Sequence, residues 1–506
     1  MADQGKNNTV KQLKRKLVAS KTRFKNVIER NADGIIIVDQ EGIIRYLNPA
    51  AERFFGFQAE SMVQESFGYP LVAGEQTEIE IVNQGGKRLI AEMRAVNTSW
   101  EGEDAYLLSL RDITHRKRNE RITRESLRRA RYIQDSLFPA SLPEESGLSF
   151  AGTHQHAEHV GGDYYYLHSC EDRIFFVVAD VTGNGLDAAL ITVFASSFFR
   201  RRLEENCLDD TPLDILKGLH SDFNRQGFPD DYSLEVFLGF IFPSTMKISY
   251  AVSGAIRSLL IDAEGKISRL KDSTGMVINN TISEPYFGHH SLHLSPNQAL
   301  IIYTDGVDEP FYIKDPREGQ NHLPEIIYKT IGLLPLDEIL ERIVGDTLFN
   351  LDEESPADDM AVLGIGRQLL PIKRKEWSFP RSLEKVSAFT DELCQAFIHL
   401  PLDIHHVRMA LQEALTNIAE HSDGEGEIRV NVYWDDRRLV CIIGDNGSGF
   451  DWRSVLSKRE DPLSAMERGR GMTIIEMAAE SFTLNDAGNK IAVGWNLDQK
   501  EKRPAV

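Results

Sequence analysis

Gly161-Gly162-Asp163-Tyr164-Tyr165-Tyr166 and Ile174-Phe175-Phe176-Val177-Val178-Ala179-Asp180-Val181-Thr182-Gly183-Asn184-Gly185 are two apolar runs, the first opening on an aspartate and the second closing on one. β-Branched and aromatic residues at this density predict strands. With Glu171 and Asp172 as a two-residue turn, the runs form a hairpin whose register sets Asp163 directly opposite Asp180. Facing carboxylates repel each other, so the pair calls for a neutralising partner. Hard divalent cations take oxygen ligands, and two of them roughly 3.5–4 Å apart can share a water and hold a phosphate for in-line attack.

Further along stand Ala299-Leu300-Ile301-Ile302-Tyr303-Thr304-Asp305-Gly306-Val307 and Ala357-Asp358-Asp359-Met360-Ala361-Val362-Leu363, each an apolar strand with its acid at one end. Taken singly, a Thr-Asp-Gly or an Asp-Asp beside a strand is ordinary turn chemistry. Four in order, Asp163, Asp180, Asp305 and Asp358, form a ligand set, with Asp359 competing for the last place and Asp358 favoured. The glycines after Asp180 and Asp305 are expected to let the backbone approach the ions closely.

Gly161-Gly162-Asp163, Asp180-Val181-Thr182-Gly183-Asn184-Gly185 with Ala188-Ala189-Leu190, Tyr303-Thr304-Asp305-Gly306-Val307 and Asp358-Asp359-Met360 resemble the PPM-type serine/threonine phosphatases of the RsbU and SpoIIE kind, over residues 140–367. The resemblance implies an α-β-β-α sandwich. It also implies two Mn or Mg ions held by Asp163, Asp180, Asp305 and Asp358 and by the main-chain carbonyl of Val181, with a bridging water as nucleophile. Metal binding lowers the pKa of water, so no Ser-His or Cys-His set is required. Tyr166 stands where that family often has another aspartate, and Asn184 where it often has His or Lys; neither is a core ligand.

A second constellation lies near the C-terminus. Glu413 and Asn417 are four apart on the helical run His406–His421 and share a face. The strand Leu439–Ile443 leads into Asp445-Asn446-Gly447-Ser448-Gly449, and Arg468-Gly469-Arg470-Gly471-Met472 follows. Glycines opening a helix can present backbone N–H groups to phosphates. Each piece alone is weak. Together, in this order, they resemble the GHKL (Bergerat) ATP-binding α/β sandwich, and most closely the RsbW-type anti-sigma serine kinases, over residues 375–497. The likeness implies that Asn417 coordinates Mg, that Asp445 reads the adenine amino group, that Gly447, Gly449, Gly469 and Gly471 frame ATP and its lid, and that Glu413 is the general base for the substrate serine. Val493-Gly494-Trp495-Asn496-Leu497 departs from the Gly-Thr pattern often seen at that end.

Gly34–Asp39 and Gly42–Leu47 read as short β-branched strands around a turn, followed by a helix start at Asn48-Pro49 and strands at Glu78–Val82, Arg88–Val96 and Ala105–Arg111. This α+β pattern, closed by Asp112-Ile113-Thr114, resembles a PAS sensory domain. No cysteine precedes Cys170, which excludes a flavin-adduct cysteine, and no histidine precedes His115 at the domain's edge, which argues against an axial haem histidine inside it. Sensing of an unknown small ligand and dimerisation alone both remain open. Between sensor and phosphatase, the Lys/Arg-rich stretch Arg111–Phe138 has apolar Ile122, Leu127, Ala130, Ile133 and Leu137 at helical spacing. Its position between two domains favours pairing with its twin in a homodimer over nucleic acid or membrane.

The 57 Lys+Arg against 77 Asp+Glu give a net charge of −20, which argues against general nucleic-acid binding. The four cysteines, Cys170, Cys207, Cys394 and Cys441, show neither metal-ligand spacing nor a disulfide framework and read as buried apolar side chains. No secretory segment or membrane-length apolar run is found, so a cytoplasmic location is expected. The resulting layout is a PAS domain with an N-terminal helix over 1–115, a signalling helix over 116–139, the phosphatase over 140–367, a linker over 368–377 and the ATPase over 378–500. By resemblance, the partner is a STAS-type anti-sigma-factor antagonist, dephosphorylated by one domain and rephosphorylated by the other. Alternatively, the last domain only sequesters a sigma factor or that antagonist.

Overall fold

In a computed structural model, the described residues are 23 and 26–497, except 73, 263–265, 271–273, 315–321, 328–329, 331–333, 352–357, 368–372, 422–425, 435–437, 448, 450–469 and 486–487. The N-terminal helix expected before the PAS domain falls almost wholly outside them, and so does Gly469. The chain divides into two compact units, one ending at Arg128 and one beginning at Arg129.

The first unit is a five-stranded antiparallel sheet in the order Ile44–Leu47, Gly34–Asp39, Glu103–Asp112, Arg88–Trp100, Gln76–Val82. Its helix Pro49–Phe55 starts where the sequence places a cap. Asn48 Oδ1 accepts from Ala51 N at 2.9 Å, Pro49 occupies the first turn, and Gly56 ends the helix at φ 77°. Ile36, Val38, Ala91, Leu108 and Leu110 form the core between sheet and helix. The helix Thr114–Asp135 runs on from this sheet and crosses the boundary between the units.

In the second unit, two antiparallel sheets pack face to face. One has the order Gly288–His293, Lys247–Ser253, Leu234–Phe242, Ile174–Val181, Tyr164–Ser169. The other runs Ile267–Arg269, Arg257–Ile261, Ala299–Tyr303, Met360–Arg367, Leu148–Gln155. Phe237, Ile302 and Leu363 from both sheets share one core with Ile191, Phe199, Leu216 and Leu219 of the helices Gly185–Asn206 and Pro212–Gln226. The helix Leu336–Leu351 packs against the second sheet, giving the α-β-β-α order.

A third sheet follows in the order Lys373–Pro380, Glu427–Trp434, Arg438–Gly444, Lys490–Asn496, Ser481–Leu484. Along its central strands apolar residues point alternately to both faces, so both faces need cover. Val430, Val432, Cys441, Ile443 and Val493 meet the helices Leu383–Ala396, Ile404–His421 and Arg470–Ala478. Tyr433, Val440, Ile442 and Ala492 on the other face join the same apolar cluster as Ile339, Leu340 and Ile343 of the helix Leu336–Leu351. That helix therefore serves two sheets. Arg342, paired with Asp346 at 2.9 Å, also donates to Thr483 Oγ1 at 2.8 Å, and Lys490 Nζ meets Glu338 at 2.6 Å.

Two expectations are corrected here. The linker expected over 368–377 overlaps the edge strand Lys373–Pro380, which pairs along its whole length with Glu427–Trp434. Charged residues belong on an exposed sheet edge, where they block further pairing, and a charge run beside a proline reads the same way in a linker. Cys170 and Cys207, expected to be separate buried thiols, are joined as a disulfide with their Cα atoms 6.2 Å apart. One sits at a hairpin turn and the other at a helix end 37 residues on, a proximity that spacing does not reveal. Cys394 and Cys441 are free and buried.

Candidate functional site

The first hairpin closes through Cys170 N donating to Arg173 O at 2.8 Å, around Glu171 and Asp172. Its register pairs Tyr164 with Ala179, so Asp163 lies one step beyond, opposite Asp180. In the second sheet Tyr303 pairs with Val362, which brings Asp305 past one strand end and Asp358 before the next to the same edge. The sandwich thus gathers all four sequence-derived aspartates at one end. Carboxylate oxygens of Asp305, Asp358 and Glu309 lie within 4.8 Å of one another. Asp180 has Glu235 opposite it on the other neighbouring strand.

Burial is the largest influence on Asp163, Asp180 and Asp358. It drives Asp163 well above the usual carboxylate range, and the Asp180 charge adds to the effect. Asp180 is pushed up to about 8 by burial, then by Asp305, Asp358 and Glu235. Asp358, less enclosed, is raised to about 6, again by burial first. Among the described residues no Lys or Arg forms an ion pair with any of the four. A half-buried nest of hard oxygen donors without an ion-paired cationic side chain is the donor set that divalent ions of the Mg or Mn class require, so the residues fit such ions.

Asp359 is placed elsewhere. Its Oδ1 accepts from Ala157 N at 2.8 Å and its Oδ2 from Gly162 N at 2.6 Å, so it anchors the Gly-Gly-Asp loop while Asp358 faces the carboxylate cluster. Gly162 must be a glycine because a Cβ there would stand 2.7 Å from the Val181 carbonyl, the main-chain oxygen that the family resemblance implies as a ligand. Gly306 answers a different demand from the one expected: its Cβ would meet the Asp359 carbonyl oxygen, so its small size lets the 3-10 turn Asp305–Val307 close against the backbone just before the strand Met360–Arg367.

Several supporting residues escaped sequence reasoning. Thr304 Oγ1 donates to Asp163 Oδ2 at 2.5 Å, from 141 residues away. Gln134 Nε2 donates to Gly161 O at 2.6 Å, and Gly161 N donates back to Gln134 Oε1 at 3.0 Å, so the end of the long helix grips the Gly-Gly-Asp loop at both backbone groups. Glu309, four residues after Asp305 across a 3-10 turn, was detectable as a second acid on the same face.

At the C-terminal constellation, a Cβ on Gly471 would stand 3.0 Å from a Glu413 carboxylate oxygen and 3.1 Å from the Asn417 amide. Glu413, Asn417 and the helix opening at Gly471 are therefore side by side. Burial, then Glu420, raises the Glu413 carboxyl. Asp445 Oδ1 accepts from Gly447 N at 3.0 Å, and Asn489 Nδ2 donates to Gly447 O at 2.8 Å, which shapes the turn. Gly449 has φ 76°, a backbone that favours glycine. Arg381, which sequence reasoning passed over, forms a buried 2.8 Å ion pair with Asp445 Oδ2.

Comparison with known families agrees with these three architectures. Residues 171–368 match the stage II sporulation protein E (SpoIIE) family, residues 377–495 the histidine kinase-like ATPase domain, and residues 22–73 the PAS fold. The chain carries PAS, SpoIIE and histidine kinase-like ATPase domains. The SpoIIE match holds Asp180, Asp305 and Asp358 but begins after Asp163, whereas the sandwich itself extends back to the strand Leu148–Gln155. Protein IcfG of Synechocystis is 25% identical over 273 residues, covering 49% of this chain and 42% of IcfG. Phosphoserine phosphatase RsbP of Bacillus subtilis is 26% identical over 193 residues, 37% of this chain and 46% of RsbP. Serine-protein kinase RsbW of Bacillus cereus is 38% identical over 58 residues, 11% of this chain and 36% of RsbW. Each match spans less than half the length of the curated relative. No helix among the described residues is long and apolar enough to cross a membrane.

Proposed function

We propose that this chain is a metal-dependent protein-serine/threonine phosphatase with an ATP-dependent serine kinase at its C-terminus, both acting on a STAS-type anti-sigma-factor antagonist. The observation that carries the phosphatase reading is the convergence of Asp163, Asp180, Asp305 and Asp358 from two sheets onto one edge. These four and the Val181 carbonyl would hold two Mn or Mg ions, which when bound supply an activated water and neutralise charge on the phosphate. The chain's own part is positional. Thr304 orients Asp163, Asp359 fixes the loop that carries it, and Asp305 and Asp358 meet the same cluster from the second sheet.

In the ATPase domain, Asn417 would hold Mg, Asp445 with Gly447, Gly449, Gly469 and Gly471 would frame ATP, and Glu413 would accept the serine proton. The Arg381–Asp445 ion pair favours a second reading, in which this domain sequesters a sigma factor or the antagonist without phosphotransfer, because the acid assigned to adenine already has a partner. ATP-dependent labelling of an unphosphorylated antagonist separates the two. Labelling lost in Glu413→Ala supports the kinase, and no labelling with retained complex formation supports sequestration. The PAS domain and the long helix are assigned the setting of the balance, as a homodimer; a phosphatase rate unchanged on deleting residues 1–115 would contradict that assignment.

A further inference from the structure

A cluster beside the end of the long helix belongs to neither site. Asp135 is the last residue of the helix Thr114–Asp135, and it sits against His154 near the end of the strand Leu148–Gln155 and His156 just past that end. His156 Nε2 lies 3.3 Å and His154 Nε2 3.5 Å from one and the same oxygen, Asp135 Oδ1. The three atoms all lie within 4.8 Å of one another. The other carboxylate oxygen, Oδ2, faces Arg131 Nε at 3.8 Å, which leaves Oδ1 to the imidazoles.

The His156–Asp135 contact is a hydrogen bond of 3.3 Å and the His154–Asp135 contact is 3.5 Å, both longer than the about 2.7–2.9 Å of a charge-assisted bond. They match a different arrangement: ligands about 2.0–2.2 Å from a tetrahedral ion stand on the order of 3.3–3.6 Å apart. The ring planes are also held. Phe138 stacks on His154 with centroids 3.7 Å apart and an interplanar angle of 6°. His156 is buried, while Asp135 is partly exposed and leaves the third side reachable from solvent.

We propose that Asp135, His154 and His156 form a separate metal site for one divalent ion of the zinc class, bound through two imidazole nitrogens and one carboxylate oxygen, with a fourth position open to solvent. Two imidazoles distinguish it from the all-oxygen aspartate centre, which suits Mg or Mn. A bound ion would tie Asp135 to the strand, next to Gln134 and its grip on Gly161.

Cobalt(II), which absorbs visibly when four-coordinate, reports on this site. Full-length protein freed of metal by a chelator and titrated with Co²⁺ is expected to show an intense visible band at one equivalent, displaced by Zn²⁺. His154→Ala and Asp135→Asn are each expected to abolish the band, and Asp305→Ala to retain it. A band that survives both cluster variants, or that vanishes only in Asp305→Ala, overturns the site. Should a variant misfold, zinc-edge X-ray absorption of the wild type decides: imidazole scattering from two nitrogens supports the site, and an oxygen-only shell refutes it.

Discussion

Thr304 donates its hydroxyl to Asp163 at 2.5 Å, across the interface between the two sheets of the phosphatase sandwich, and its backbone N–H donates to Ala361 O at 3.1 Å in its own sheet. One residue thereby sets the spacing of the two edges that carry the aspartates. Thr304→Val keeps the shape and removes the donor. Second-sphere substitutions at metal sites lower affinity about 10–100-fold. Mn²⁺ titration of the variant by calorimetry is expected to show a loss of that order, with phosphatase activity recovered at raised Mn²⁺.

Asp358 and Asp359 are neighbours with opposite roles, and substitution separates them. Asp359→Asn sets an amide donor against one of two backbone donors, Ala157 N or Gly162 N. Loss of a hydrogen bond to a charged group typically costs about 1.5–3 kcal/mol. Thermal unfolding of metal-free protein is expected to show that loss in Asp359→Asn. In Asp358→Asn the melting temperature is expected to hold or rise, because a repelling charge has gone, while activity falls.

Clustered acids make the metal-free protein sensitive to pH in a definite direction. Asp180, raised to about 8, and Asp358, raised to about 6, bind more protons folded than unfolded. Stability from these groups is full below about pH 4, the unfolded carboxylate range, and is lost as pH rises through about 6 and then about 8. Denaturant midpoints measured in chelator are expected to decline over that window, and saturating Mn²⁺ is expected to flatten the decline.

The helix Leu336–Leu351 joins the phosphatase sandwich to the ATPase sheet, and Arg342 is one of its polar ties. Removing one partner of a buried ion pair costs about 3–5 kcal/mol. Arg342→Ala removes the guanidinium that pairs with Asp346 and donates to Thr483. Chemical denaturation is expected to show a destabilisation of this order, and limited proteolysis is expected to release the ATPase domain sooner than from the wild type.

The sequence carried the local geometry well. The hairpin register opposing Asp163 to Asp180, the Asn48-Pro49 helix start, and the Glu413–Asn417 face all follow from periods of 2 or 3.6 and from turn chemistry, which are short-range properties. What it hid is long-range. Nothing near Thr304 announces Asp163, and nothing near Asp359 announces Ala157, 202 residues away. Edge strand Lys373–Pro380 was misread because its charges serve an exposed edge, and the Cys170–Cys207 pair because only the fold brings a turn and a helix end together.

Phosphate release from a serine-phosphorylated STAS-type protein, with and without Mn²⁺, by wild type and by Asp305→Ala, tests the phosphatase assignment most directly. Release that requires Mn²⁺ and falls at least a hundredfold in the variant, on the scale of removing a principal catalytic group, is the result expected. Release that is independent of metal, or equal in the two proteins, would contradict it.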